Sequence, residues 1–205
     1  MLNVMWMLVV LAVAGAVGGL GARLLTDGWL RRNLYAGISI HCAVPESCVA
    51  VGWLFVGLAT SSAVQLVSGL AFVWWCVAVS MVDVTVRRLP NSFTVPAYGV
   101  VIAGALFAGT LWAALMGSVV LAGIHIVLHL ISAGSLGAGD VKLALPLGAI
   151  TGLGGAQVWL LSAFLAPVIT LAVAVLLARR SQVPHGPSMC GAVFLVFVFD
   201  ALAGG

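Results

Sequence analysis

The stretch WWCVAVSMVDVTVRRLPN, residues 74–91, is apolar at eight of its first nine positions and reaches one acid at Asp83. Two arginines and a proline then close it. Such a run reads as the end of a hydrophobic segment meeting a polar boundary, and the rest of the chain repeats the pattern. Of its 205 residues 63% are hydrophobic and 6% are charged, whereas about a quarter of an ordinary soluble domain is charged. A helix crossing a bilayer needs about 20 largely apolar residues, because the hydrocarbon core is about 30 Å thick. Eight apolar segments can be marked, at about 4–22, 43–60, 63–82, 92–109, 112–132, 141–155, 157–178 and 188–203. The second and sixth are short, which tilt or local thinning can accommodate. The expected fold is all-α: one integral-membrane domain over residues 1–205, with about eight transmembrane helices and a short cytoplasmic loop at about 23–42. The N-terminal MLNVMWMLVV lacks a basic leader region and a small-residue cleavage site, and reads as a retained first span.

The cations support this count. Arg23, Arg31 and Arg32 follow span 1, and Arg87 and Arg88 follow span 3. Lys142 separates spans 5 and 6, while Arg179 and Arg180 follow span 7. All fall in odd-to-even connections, which the positive-inside rule makes cytoplasmic, so both termini are expected outside the cytoplasm. The net charge of +3 is thus a topology signal and not a nucleic-acid footprint. Glycine-rich stretches, GAVGGLG at 15–21 and GAITGLGG at 148–155, point to helices packed at short backbone distance. Cys42, Cys48, Cys76 and Cys190 include no CxxC pair, so neither a disulfide framework nor a metal site is expected.

The acids are Asp27, Glu46, Asp83, Asp140 and Asp200. Asp27 and Glu46 fall in or beside the first connection, where a solvated carboxylate is ordinary, and Asp200 sits at the outer end of the last span. Asp83 ends span 3 and Asp140 opens span 6 in GAGDVKLALP. Two spans lie between them, so the chain leaves the cytoplasmic face and returns to it. Each has a structural reading alone: Asp140 as a helix N-cap, Asp83 as a partner of Arg87 one turn on. Together they stand at one depth, where ionisable groups are costly and point to function. Two close carboxyls cannot both ionise. The ionised one can activate water while the protonated one polarises a peptide carbonyl. Gly137 and Gly139 would let the backbone bend and admit another chain closely. The rival reading is a non-catalytic transporter or assembly subunit using the acids as a proton or cation relay.

At these residues the chain resembles the type IV prepilin peptidases, within the GxGD intramembrane aspartyl proteases. GAGD (Gly137 to Asp140) fits the GxGD motif, and GAGDVKLAL, with Lys142, resembles its prepilin branch. DVTVRRLPN (Asp83 to Asn91) fits the first-aspartate motif with Pro90. VPHGPSMCGAV (Val183 to Val193) resembles the C-terminal segment with Pro184, Gly186 and Pro187, His185 standing where the family has an aromatic residue. The resemblance implies Asp83 and Asp140 as the catalytic pair, in an inner-membrane enzyme that cuts the basic leader from a prepilin or pseudopilin. Its substrates serve type IV pili or related secretion systems. Pro90 and Pro184 are then expected to wall the groove that holds the junction extended. It implies no cofactor for proteolysis. Longer members carry a zinc-binding CxxC insertion and methylate the new N-terminus with S-adenosylmethionine. HCAVPESC (His41 to Cys48) lacks that spacing, and the shortened loop weighs against that second activity. His125 and His129 share a helix face without a third metal ligand, and polar packing is the expected role. Lys142 is expected to hold substrate, bias the pair or snorkel to the interface. The tryptophans are expected to pack or anchor spans.

Overall fold

A computed structural model of the chain describes residues 2–33, 35, 40–41, 43–131, 137–177 and 183–203. Arg179, Arg180 and Cys42 lie outside the described residues. The described chain is all helical, with eight helices: α1 (Leu2–Arg32), α2 (Val44–Ala59), α3 (Ala63–Val86), α4 (Asn91–Phe107), α5 (Leu111–Ile131), α6 (Ala138–Leu153), α7 (Ala156–Leu176) and α8 (Gly186–Ala203). Five of them, α1, α3, α5, α7 and α8, are long and apolar enough to cross a membrane. The chain is a multi-pass membrane protein. At 16, 17 and 16 residues, α2, α4 and α6 are about 24–26 Å long, short of a hydrocarbon core of about 30 Å.

The helix borders fall within a few residues of the apolar segments, with one exception. α1 continues ten residues beyond the segment ending at 22, so 23–32 is helix and not loop. The hydrophobic run ends where expected, but side-chain partners carry the helix on. Thr26 donates its hydroxyl to the Ala22 carbonyl (2.9 Å). Arg23 Nε donates to Glu46 Oε1 in the first turn of α2 at 2.8 Å. Asp27 accepts the Ile40 backbone N–H at 3.2 Å. Glu46 is therefore a half-buried ion-pair partner and not the solvated loop carboxylate read from sequence. The first polar connection begins only after Arg32.

The chain divides into two compact units, residues 1–86 with 198–205, and Arg87–Phe197. In the first, α1 packs on α2 and α3, and α2 packs on α3. Gly15 and Gly19 of the GAVGGLG stretch are the contact. A Cβ on Gly15 would meet the backbone of Ala50, and one on Gly19 the backbone of Pro45 and Glu46. Trp74 Nε1 donates to the Gly18 carbonyl (2.9 Å) and Trp53 Nε1 to the Leu70 carbonyl (3.0 Å), so both tryptophans bolt one helix to the next.

In the second unit α5 and α6 form the most extensive pair, flanked by α4 and α7. Gly117 of α5 faces Gly148 and Gly152 of α6. A Cβ on Gly117 would run into the Gly148 carbonyl oxygen, and a Cβ on Gly152 into that of Ala113. Trp159 of α7 donates to the Gly117 carbonyl at 3.0 Å, and Ala105, Ala114 and Ala149 continue the small-residue core beside Tyr98. In lipid, where apolar burial drives helix association weakly, such close backbone contact supplies the dispersion energy.

Because backbone cannot yield as a side-chain tip can, Gly148→Leu should cost at least the ~1–3 kcal/mol of ordinary overpacking and lower the thermal midpoint of the detergent-solubilised protein by several degrees. Gly123→Ala, where a Cβ meets nothing within 4 Å, should match wild type.

Candidate active site

Gly137 is the N-cap of α6, at φ −74°, ψ 148°. Asp140 occupies the third helical position, so its carboxylate reaches back and accepts the Gly137 N–H at 3.0 Å. The Asp140 N–H in turn donates to the Gly137 carbonyl at 3.0 Å. The capping role anticipated for Asp140 is present in modified form, with the acid inside the first turn and not ahead of it. Such a bond supports the helix start. It uses one of the four or so lone-pair sites of a carboxylate that is only 8% exposed.

The two motif glycines act differently from expectation. Gly137 has an extended φ that any residue adopts, and neither Gly137 nor Gly139 has positive φ, so sharp bending is not their contribution. Close approach is. A Cβ on Gly139 would lie 3.0 Å from Leu89 Cβ and 3.3 Å from its backbone nitrogen. Leu89, itself buried, belongs to the RRLPN stretch after Asp83. Lys142 Nζ donates to Asn91 Oδ1 at 2.9 Å. Pro90 is the N-cap of α4, and its carbonyl accepts the Phe93 N–H at 3.0 Å. The start of α4 and the start of α6 are thus seated together, and Lys142 spends its charge on that seam.

Asp83 lies in the last turn of α3, 6% exposed, beside the fully buried Val79 and Val82. Arg87 follows at φ 52°, a left-handed residue that ends the helix. Asp83 belongs to the first unit and Asp140 to the second.

The second unit also joins residues that the sequence left separate. His185, just before α8, has its ring centroid 6.0 Å from that of His125. Its Nδ1 lies 2.7 Å from Thr170 Oγ1 of α7. His125 is buried, with Nδ1 2.9 Å from the Leu121 carbonyl. Polar packing is therefore the observed role of His125. Its partner could be suspected only from His185 standing at an aromatic position. Pro184 and Pro187 flank His185, and Gly186 opens α8 as a buried residue. Among the described residues no group of three or more His, Cys, Asp or Glu side chains is placed to hold a metal ion.

Burial, with His125 beside it, holds the His185 imidazole down to about 4. In the unfolded chain it titrates near 6.5. Between these values the unfolded chain binds a proton that the folded one refuses, so acidification through this window removes stability. His185→Phe should make the thermal midpoint less sensitive to pH between about 6.5 and 4, read by unfolding scans of wild type and variant in one detergent.

A family model, the type IV leader peptidase family, matches residues 70–179, just over half of the chain. The matched stretch contains Asp83, the RRLPN segment, the GAGD motif and His125, and ends before the Pro184–Pro187 segment. Comparisons with curated proteins and with solved structures returned no match. With the aspartate motifs inside the matched region and a multi-pass helical fold around them, the chain belongs to the type IV leader peptidase family.

Proposed function

We propose that this protein is a membrane-embedded aspartic endopeptidase that removes the basic leader from type IV prepilin-like or pseudopilin precursors at the cytoplasmic membrane face. Asp83 and Asp140 are its catalytic pair. The observation that carries the reading is the family match spanning both aspartates. Its support is that each carboxylate is buried at a helix end while Arg87, Arg88 and Lys142 beside them in sequence are exposed. Leu89, six residues after Asp83, packs on Gly139, the residue before Asp140. In this reading the positive-inside rule assigns the odd-to-even connections to the cytoplasm and both termini to the other side.

In this reading the pair shares one proton and titrates as a unit. The ionised carboxylate takes a proton from water, whose oxygen attacks the scissile carbonyl carbon. The protonated carboxylate gives its proton to the carbonyl oxygen. The tetrahedral intermediate then collapses as the leaving nitrogen is protonated by the first acid. No cofactor is called for. A peptide bond inside a helix is shielded by its own hydrogen bonds, so the substrate junction is bound extended, with Pro90 and Pro184 along the groove. Enzyme face and leader are both basic, so recognition rests on contacts near the cut.

With a prepilin co-expressed, wild type should release the leader as a gel shift. Asp83→Asn and Asp140→Asn should each slow release by at least about 100-fold, the lower end of acid–base contributions, while remaining folded in the membrane. Asp200→Asn, exposed in α8, should cleave as wild type does. Cleavage near the wild-type rate in either dyad variant would refute the assignment.

A further inference from the structure

Gly139 and Lys142 are three positions apart in α6 and leave the helix on one face, whereas Asp140 and Lys142, two apart, do not face each other. The stretch that enters α4 meets the Gly139–Lys142 face. Pro90 is extended, at φ −74°, ψ 140°, and residues on either side of an extended residue point the same way, here Leu89 and Asn91. The two pairs meet in matching order. A Cβ on Gly139 would lie 3.0 Å from Leu89 Cβ, and Lys142 Nζ donates to Asn91 Oδ1 at 2.9 Å. Asp140 turns back to its own cap and accepts the Gly137 N–H.

One contact leaves a segment free to swing or slide, and two fix its register. The first contact here is apolar: Leu89, 7% exposed, lies on the backbone that Gly139 leaves bare. Apolar attraction has no direction and tolerates sliding. The second is directional, because a hydrogen bond weakens steeply away from its preferred distance and angle. Lys142 therefore supplies the part of the lock that selects one register. The other roles open to this lysine fit the contact less well. An ion pair with Asp140 is disfavoured by their two-residue spacing on the helix. A basic leader repels an ammonium. Snorkelling needs no partner, whereas this side chain engages an acceptor 51 positions away.

We propose that Lys142 is a positioning residue of the peptidase, acting through Asn91 to fix the register of Leu89–Asn91, the stretch that follows Asp83, on the first turns of α6, which carry Asp140. The role rests on the peptidase reading above, in which proton transfer demands that each carboxylate be held in place; misplacement of about 1 Å can cost about 100-fold in rate.

The test pairs kinetics of the full chain on a purified prepilin with amide hydrogen exchange, on wild type, Lys142→Met, Asn91→Ala, their double variant and Asn91→Asp. Lys142→Met and Asn91→Ala should each lower kcat about fivefold, the worth of one hydrogen bond, with KM near wild type. The double variant should be no slower than either single one. Asn91→Asp keeps an acceptor for Lys142 and should recover most of what Asn91→Ala loses. Exchange in peptides covering residues 87–95 should quicken in Lys142→Met and not in Asn91→Asp. Additive losses, about 25-fold in the double variant, would overturn the proposal. So would a loss confined to KM, which marks a contact with the leader, or an Asn91→Asp as slow as Lys142→Met, which marks a need for the free charge. Exchange unchanged in Lys142→Met would overturn the lock whatever the kinetics. A wild type that cleaves no prepilin contradicts the peptidase reading and takes the positioning role with it, and the exchange then still decides for or against the lock.

Discussion

The second unit depends on one close contact, the backbone of α5 at Gly117 against the backbone of α6 at Gly148 and Gly152. Any side chain at these positions would collide with main-chain atoms that cannot move independently. Lipid gives apolar surfaces little reason to associate, so helices of this kind are held by area of contact at short range. That contact fixes α6, and α6 carries Asp140 three residues inside its N-terminus. The same contact sets the floor on which Trp159 ties down α7. The position of an acid at one end of the helix thus follows from glycines near the other.

At that acid the fold seats its neighbours by size and hydrogen bonding more than by charge. Gly139 admits Leu89, Lys142 reaches Asn91, and Asp140 takes the Gly137 N–H. The first two contacts join the start of α4 to the start of α6, and the third caps α6 itself. The GxGD pattern therefore reads physically as one cap position, one site of close approach and one carboxylate. On that account Gly139 is the glycine whose missing side chain matters most, since Gly137 sits in backbone space open to any residue.

Seven of the eight helices were legible in the apolar segments, because hydropathy reports where a chain avoids water and an apolar helix has few other options. The end of α1 was not. Its last ten residues are held by Arg23, Thr26 and Asp27 through partners that include Glu46 and Ile40, and pairing across 13 to 23 positions leaves no local trace. The aspartates were legible because acids are scarce in such a chain, and each stood at a segment border. The i, i+4 relation of His125 to His129 is visible in sequence, whereas its contact with His185 requires α5 and the start of α8 to be folded. Thr170 looks like an ordinary small polar residue of a span until the fold brings His185 to it.

The central claim is that Asp83 and Asp140 work as one pair, and their proximity in the membrane is the most direct test. In a chain whose native cysteines are replaced, Asp83→Cys and Asp140→Cys would be combined and treated in membranes with a short bifunctional thiol reagent. The account predicts an intramolecular bridge, seen as one linked peptide after proteolysis. Two thiols that each react with a monofunctional reagent yet never bridge would contradict it.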